Sequence, residues 1–388
     1  MVKVAILGFG TVGSGVAEVL TMNADRIARN TGREISIKYI VDVRDFPGNP
    51  FEKYLVKDFA LVENDPEVSV VVETIGGVGV AYDFSRRVLQ AGKSLVTSNK
   101  ELVATHGYEL MSLAKEKGVN YLFEASVGGG IPVLRPICQC LAANSVQEIY
   151  GILNGTTNYI LTEMIQNGVP FEDALAGAQA RGYAERNPAA DIEGHDACRK
   201  ICILSTLCFG KHVYPDNVPA EGITSVTLDD VRNAELIGCK IKLLGRAVLT
   251  PEGKPAAYVA PHLVRSEKLI SGVSGVMNAI VVEGNAVGEV MFYGAGAGKL
   301  PTASAVVADV IDAAKHENAR KQISWEDGDK DTVADPDALV SRWYVRTKGD
   351  VPFEKIAEGA YLTDAMDKAA LMEKLGEAGA DAAFRVLE

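Results

Sequence analysis

A chain of 388 residues is too long for one small core, and at about 150 residues per domain it divides into two or three. Its 47% hydrophobic and 23% charged residues fit a globular protein, and a formal charge of −12 with no dense run of Lys and Arg argues against a nucleic-acid surface. Met1 leads straight into the apolar run Val2 to Leu7 and no stretch of about 18 apolar residues occurs after it, so neither a secretion signal nor a membrane span is expected, and the expected location is cytoplasmic.

In chain order, Lys3 to Leu7 reads as a buried strand, Gly8-Phe9-Gly10-Thr11-Val12-Gly13 supplies GxGxxG, and Ser14 to Arg29 continues as a helix. This is the dinucleotide fingerprint in the context it requires: a tight turn, backbone amides close to a pyrophosphate, and close helix–strand packing. A second strand ends near Tyr39 to Asp42, where two readings stay open. Asp42 on a ribose 2′-hydroxyl favours NAD, and Arg44 on a 2′-phosphate favours NADP.

Strands at Val68 to Glu73, Ser94 to Thr97 and Tyr121 to Glu124 alternate with helices at 83–91 and 107–117, which implies a Rossmann-type, doubly wound parallel sheet of the α/β class. Ligands of such sheets lie beyond the carboxyl ends of the strands. The chain places Thr74, Ile75 and Gly76 there, then Ser98, Asn99 and Lys100, then the glycine-rich stretch 125–130.

After about residue 136 the pattern changes to strands at 146–153, 240–249, 257–264 and 276–293, with helices at 158–166, 171–181 and 195–210. This reads as an α+β substrate and dimerisation domain with one open sheet, which a second copy can cover. A helix at 301–314 returns to the first domain. The expected division is therefore 1–135, completed by 300–325, for the nucleotide; 136–299 for the substrate; and, past an acidic linker at 326–336, a short C-terminal α/β appendage at 337–388. The cysteines show neither CxxC nor zinc-ligand spacing and read as reduced, mostly buried thiols.

Chemistry is densest between Gly182 and Lys200. Asn187-Pro188 breaks the chain, Asp191 can cap the helix after it, and Asp196 lies one helical turn before Lys200. Ala197, Ile201, Leu204 and Cys208 recur at helical spacing, so the charged pair borders a buried stripe and is expected at a rim, half shielded from water. A lone D-x-x-x-K is most often an ordinary surface pair. His195 reads as a surface or supporting residue.

The motifs GFGTVG at 8–13, ETIGG at 73–77, SNKELVA at 98–104, EASVGGGIPVLRPI at 124–137, GILNGTTNYILTEM at 151–164 and GYAERNPAADIEGHDACRK at 182–200 occur in this order. From Val4 to about Ala314 the chain thereby resembles the homoserine dehydrogenase family. The resemblance implies NAD(P)-dependent interconversion of L-homoserine and L-aspartate 4-semialdehyde, the branch step toward threonine, methionine and isoleucine, in a homodimer or dimer-based oligomer. Reducing an aldehyde takes a hydride at carbon and a proton for the developing alkoxide, so a cation beside that oxygen serves as stabiliser and acid. Lys200 matches the family's proton-transferring lysine, Lys100 a second essential lysine near the nicotinamide, and Asp196 would orient Lys200.

Glu185 and Asp191 match residues that bind the amino-acid group of the substrate. Gly155, Thr156 and Thr157 would supply backbone and hydroxyl donors, or form a strand-to-helix turn with a threonine cap. Gly298 matches a cofactor-contacting glycine. Backbone carbonyls of Glu124, Val127, Gly129 and Ile131 match those that hold a monovalent cation, usually sodium. The chain departs from members with a full regulatory ACT module: the segment 337–388 has room for a shortened βαβ version, and threonine feedback is not expected. The alternatives are another amino-acid semialdehyde reductase on the same scaffold and a non-catalytic nucleotide-sensing regulator.

Overall fold

Strand β1 (Val2–Leu7) carries Val, Ala, Ile and Leu buried on both faces, as helices above and below a parallel sheet demand. In the computed structural model, which describes residues 1–317, 319–321 and 323–388, it is central to a six-stranded sheet. The others are β2 (Ile35–Val41), β3 (Leu55–Val56), β4 (Val68–Glu73), β5 (Ser94–Thr97) and β6 (Tyr121–Leu122), all parallel, in the order β3-β2-β1-β4-β5-β6. Strand order reverses at β1 and β4, which puts the crevice of a doubly wound sheet beyond their carboxyl ends.

Helices α1 (Thr11–Met22), α2 (Ala24–Thr31), α3 (Ala60–Glu63), α4 (Gly79–Gln90), α5 (Lys100–Lys117) and α6 (Leu134–Gln139) accompany this sheet. The helix expected from Ser14 to Arg29 is two, interrupted at Asn23. Helix α5 begins at Lys100, not at 107, because the Asn99 side chain caps it. β3 is too short to show a period, so the sequence does not announce it.

The second unit continues with β7 (Val146–Ile152), α7 (Gly155–Asn167), α8 (Phe171–Ala180), α9 (Ala189–Ile192), α10 (His195–Phe209), α11 (Leu228–Leu236), β8 (Cys239–Leu249), β9 (Pro255–Arg265), β10 (Met277–Gly284) and β11 (Gly288–Ala295). The run 276–293 is a hairpin, with β10 and β11 antiparallel on either side of a turn. Helix α12 (Lys299–Lys315) rejoins the first sheet; a Cβ on Gly15 of α1 would lie 2.8 Å from the Lys299 carbonyl oxygen, so only glycine allows this approach. Val306 and Val310 of α12 share a core with Val4, Ile6, Val16 and Leu20.

The segment expected as a separate appendage contains β12 (Trp343–Arg346), β13 (Glu354–Ala357), β14 (Ala360–Leu362), α13 (Lys368–Leu375) and β15 (Ala382–Leu387). It is no shortened βαβ, since two extra strands precede the helix. β15 pairs parallel with β9 and antiparallel with β12, so these strands extend the second sheet to the order β11-β10-β7-β8-β9-β15-β12-β14-β13.

Two compact units result: residues 1–142, 210–212 and 297–327, and residues 143–209, 213–296 and 328–388. Positions 318 and 322 of the segment expected to complete the first domain lie outside the described residues. Among the described residues no disulfide joins the cysteines; Cys198, Cys202 and Cys239 are buried and Cys140 is exposed. Among the described residues no helix is long and apolar enough to cross a membrane.

Candidate active site

In the first unit, the GxGxxG turn is built by close approach. Gly8 has φ +88°, and a Cβ on Gly13 would lie 2.0 Å from the Gly8 carbonyl oxygen. The Thr74 hydroxyl donates to the carbonyls of Leu7 and Gly8 at 3.0 and 2.8 Å, tying the ends of β1 and β4 together. Val12 packs on the core beneath the turn. At the amino end of α1 a cleft of about 690 Å³ is lined by Phe9, Gly10, Thr11, Ser14, Arg44 and Lys299. Backbone N–H groups and the positive end of the helix dipole suit an anion there.

Asp42 is buried, and its carboxylate accepts the Phe9 N–H at 2.7 Å, the Arg44 N–H at 2.8 Å and the Arg44 guanidinium at 3.0 and 2.9 Å. The guanidinium holds the Asp42 carboxyl well below the usual range. Arg44 is itself exposed, lies over the Phe46 ring at 5.1 Å and faces the cleft, which Asp42 does not line.

The next two loops are fastened by Glu73, which sequence reasoning did not single out, and by Asn99, which it did. Glu73, fully buried, accepts the N–H groups of Ile75 and Gly76 at 2.7 and 3.3 Å and the Thr97 hydroxyl at 2.5 Å. Burial pushes its carboxyl up. The Asn99 amide donates to the Gly77 carbonyl at 2.6 Å while its oxygen accepts the Leu102 N–H at 3.1 Å. The Ser98 N–H meets the Glu73 carbonyl at 3.4 Å, and Lys100, half-buried, opens α5.

In the glycine-rich loop the Glu124 carboxylate accepts the N–H groups of Val133, Leu134 and Arg135 at 2.7, 2.9 and 2.8 Å. Its own N–H donates to Asp309 at 2.7 Å, and Asp309 pairs with Arg135 at 2.5 Å. Burial, with Glu124 nearby, pushes the Asp309 carboxyl up to about 7. Gly128 and Gly129 have φ +73° and +55°. Among the described residues no backbone hydrogen bond takes the carbonyls of Val127, Gly129 or Ile131, and no cluster of His, Cys, Asp and Glu side chains could hold a metal ion. Gly298, φ +133°, precedes α12.

In the second unit Asn154 organises the site. Its oxygen accepts the Thr157 N–H at 2.9 Å, making it the amino-terminal cap of α7 in place of the expected threonine, and its Nδ2 donates to Asp191 at 2.7 Å and Asp196 at 2.8 Å. Lys200 Nζ donates to Asp196 Oδ2 and to the Leu153 carbonyl, both at 2.6 Å. The pair is buried, with Asp196 5% and Lys200 7% exposed, and does not sit at a half-shielded rim. The strand-end carbonyl of Leu153 and the capping amide of Asn154 close over it. An asparagine before Gly-Thr-Thr, where a strand gives way to a helix, is a legible cap signal.

Asp191 sits within α9 and does not cap α10, which Gly194 precedes. Burial raises its carboxyl, against the Asn154 hydrogen bond. The hydroxyls of Thr156 and Thr157 donate to the carbonyls of Tyr183 at 2.8 Å and Asn154 at 3.1 Å; Gly155 is the first residue of α7. Glu185 is exposed, and its carbonyl accepts the Gln179 amide at 3.1 Å. His195, also exposed, lies 3.2 Å from Glu193. The structure thus brings Asn154, Asp191, Asp196 and Lys200 into one hydrogen-bonded cluster at the start of α7, while Lys100 and the nucleotide motifs belong to the first unit.

Residues 8–124 match the family described as "Homoserine dehydrogenase, NAD binding domain", and residues 132–311 match "Homoserine dehydrogenase". The chain is 46% identical over 315 residues to the homoserine dehydrogenase of Pseudomonas aeruginosa, covering 81% of this chain and 72% of that protein. With that of Neisseria gonorrhoeae it shares 45% over 317 residues, at 81% and 72% coverage. Its fold is similar to the crystal structure of a homoserine dehydrogenase from Thiobacillus denitrificans, with TM-score 0.90, 35% identity, and 100% of this chain and 98% of that one covered. It is also similar to a hyperthermophilic archaeal homoserine dehydrogenase mutant in complex with NADPH, with TM-score 0.68, 30% identity, and 80% and 97% covered. A doubly wound nucleotide unit, a buried Asp–Lys pair beside a capped helix, and relatives alike over most of their length agree, and the chain belongs to the homoserine dehydrogenase family.

Proposed function

We propose that this enzyme interconverts L-homoserine and L-aspartate 4-semialdehyde with Lys200 as the proton donor and acceptor. The observation that carries the assignment is the buried Asn154–Asp196–Lys200 chain of hydrogen bonds. In oxidation Lys200 takes the proton of the substrate alcohol, and in reduction it returns a proton to the forming alkoxide. Asp196 and the Leu153 carbonyl fix the ammonium in place, and Lys100 is the second essential lysine, near the nicotinamide. Glu185 and Asp191 receive the α-ammonium at the amino end of α7, where Gly155, Thr156 and Thr157 lie.

The nicotinamide cofactor, when bound, accepts or supplies the hydride. The cleft at the α1 amino end fits its phosphates, with the GxGxxG turn, Thr74 to Gly76, Ser98, Asn99 and Gly298 as the residues that would hold it. Arg44 on the cleft supports NADP as the preferred form. The carbonyls of Glu124, Val127, Gly129 and Ile131 would hold a monovalent cation; the left-handed glycines and unclaimed carbonyls of that loop fit a hard ion. The reaction serves threonine, methionine and isoleucine synthesis in the cytoplasm, in a homodimer formed through the open second sheet.

Lys200→Ala is expected to lower kcat by about 10²-fold or more with little change in cofactor affinity. Near-normal turnover removes Lys200 from the mechanism. Glu185→Ala is expected mainly to raise the KM for L-homoserine, and an unchanged KM reassigns the pocket.

A further inference from the structure

Asn278, the second residue of β10, is 1% exposed, and its Oδ1 has no hydrogen-bond partner. A buried carbonyl left unmet is costly unless a ligand donates to it. The amide is wedged between two glycines. A Cβ on Gly296 would lie 2.1 Å from its Nδ2, and a Cβ on Gly155 would lie 3.5 Å from its Oδ1. Gly155 is the first residue of α7 and comes directly after Asn154, whose side chain meets Asp191 and Asp196. The unmet acceptor therefore borders the amino end of the helix whose cap, Asn154, is hydrogen-bonded to Asp196 of the Asp196–Lys200 pair on α10.

The first turn of a helix offers N–H donors, and Asn278 offers an acceptor. A ligand with an anion and an N–H donor on neighbouring atoms answers both, and an α-amino acid head has them on one carbon. We propose that Asn278 is a specificity-determining residue whose Oδ1 accepts an N–H of the substrate's α-ammonium, beside Glu185 and Asp191. This rests on reading the start of α7 as the substrate pocket. A chain of the same length without the amino group leaves the acceptor unmet and is rejected.

The test measures KM for L-homoserine, the inhibition constant of 4-hydroxybutyrate, and KM for the nicotinamide cofactor in the wild type, Asn278→Ala and Asn278→Asp. Asn278→Ala is expected to raise the homoserine KM about tenfold, leaving the cofactor KM, kcat and inhibition by 4-hydroxybutyrate within about twofold. Asn278→Asp keeps an acceptor of the same shape and adds a negative charge. Its homoserine KM stays at or below wild type while inhibition by the deaminated anion weakens, so discrimination between the two widens; this arm decides by itself where the alanine variant does not fold. Equal shifts for homoserine and 4-hydroxybutyrate, or no shift, overturn the proposal. So does a rise in the cofactor KM alone, which gives the amide to the nicotinamide carboxamide. If Glu185→Ala raises the homoserine KM and Asn278→Ala does not, the pocket stands and this inference falls; if neither does, the pocket itself is misplaced.

Discussion

Arg44 and Asp42 show how neighbouring residues divide a role that either could claim from sequence. Both stand just past β2, and a carboxylate and a guanidinium there point to opposite cofactors. The structure turns the Asp42 oxygens inward, onto the Phe9 and Arg44 N–H groups, and leaves Arg44 on the cleft. Arg44→Ala is expected to raise the KM for NADPH about tenfold while changing that for NADH by less than about threefold, since only the former carries a 2′-phosphate to pair. Equal changes for both would return the discrimination to Asp42. At this scale the sequence makes legible the residues whose type and spacing fix a role, Lys200 and Asp196 above all. Glu73, Asp309 and Asn278 are harder to see: Thr97 lies 24 residues from Glu73, Glu124 and Arg135 lie 185 and 174 from Asp309, the glycines against Asn278 lie 123 and 18 away, and no local pattern records such a meeting.

Elements were legible where a period persists for several residues. β1, β4, β8 and β9 fall within a few residues of their expected spans, whereas β3, β13 and β14 are too short to repeat. α11 was missed although Thr227 and Asp230 form a capping box at its start, a signal written in the sequence. Lys242 lies within the strand run read at 240–249, yet its side chain is 2% exposed and donates to Asn158 Oδ1 at 3.1 Å and the Val273 carbonyl at 2.5 Å. It therefore ties β8 to the first turn of α7.

Burial lowers the Lys242 ammonium from 10.5 to about 8. Because the folded value lies below the unfolded one, the unfolded chain holds more protons between about pH 8 and 10.5, and this group's contribution to stability rises with pH across that window. Urea midpoints measured for wild type and Lys242→Met should therefore diverge as pH climbs from 8 to 10, the wild type gaining on the variant. Parallel curves would mean that the ammonium is hydrated in the native state.

At the scale of the whole chain, strand–helix alternation announces the doubly wound sheet, and the change of pattern after 136 announces a second unit. The fate of the C-terminal segment was not legible. β15 pairs with β9 over Arg385 to Leu387 only, a contact between strands more than 100 residues apart. The second unit gathers the hydrogen-bonded cluster of Asn154, Asp191, Asp196 and Lys200; the first gathers the nucleotide turn and Lys100. Chemistry in this molecule therefore turns on whether Lys200 is the group that moves the proton. The most direct measurement is the rate of L-homoserine oxidation by Lys200→Ala with and without added ethylamine across pH. The account predicts a rate lowered by about 10²-fold or more and restored in part by the free amine in proportion to its unprotonated fraction. A variant that turns over at the wild-type rate without any amine would contradict it.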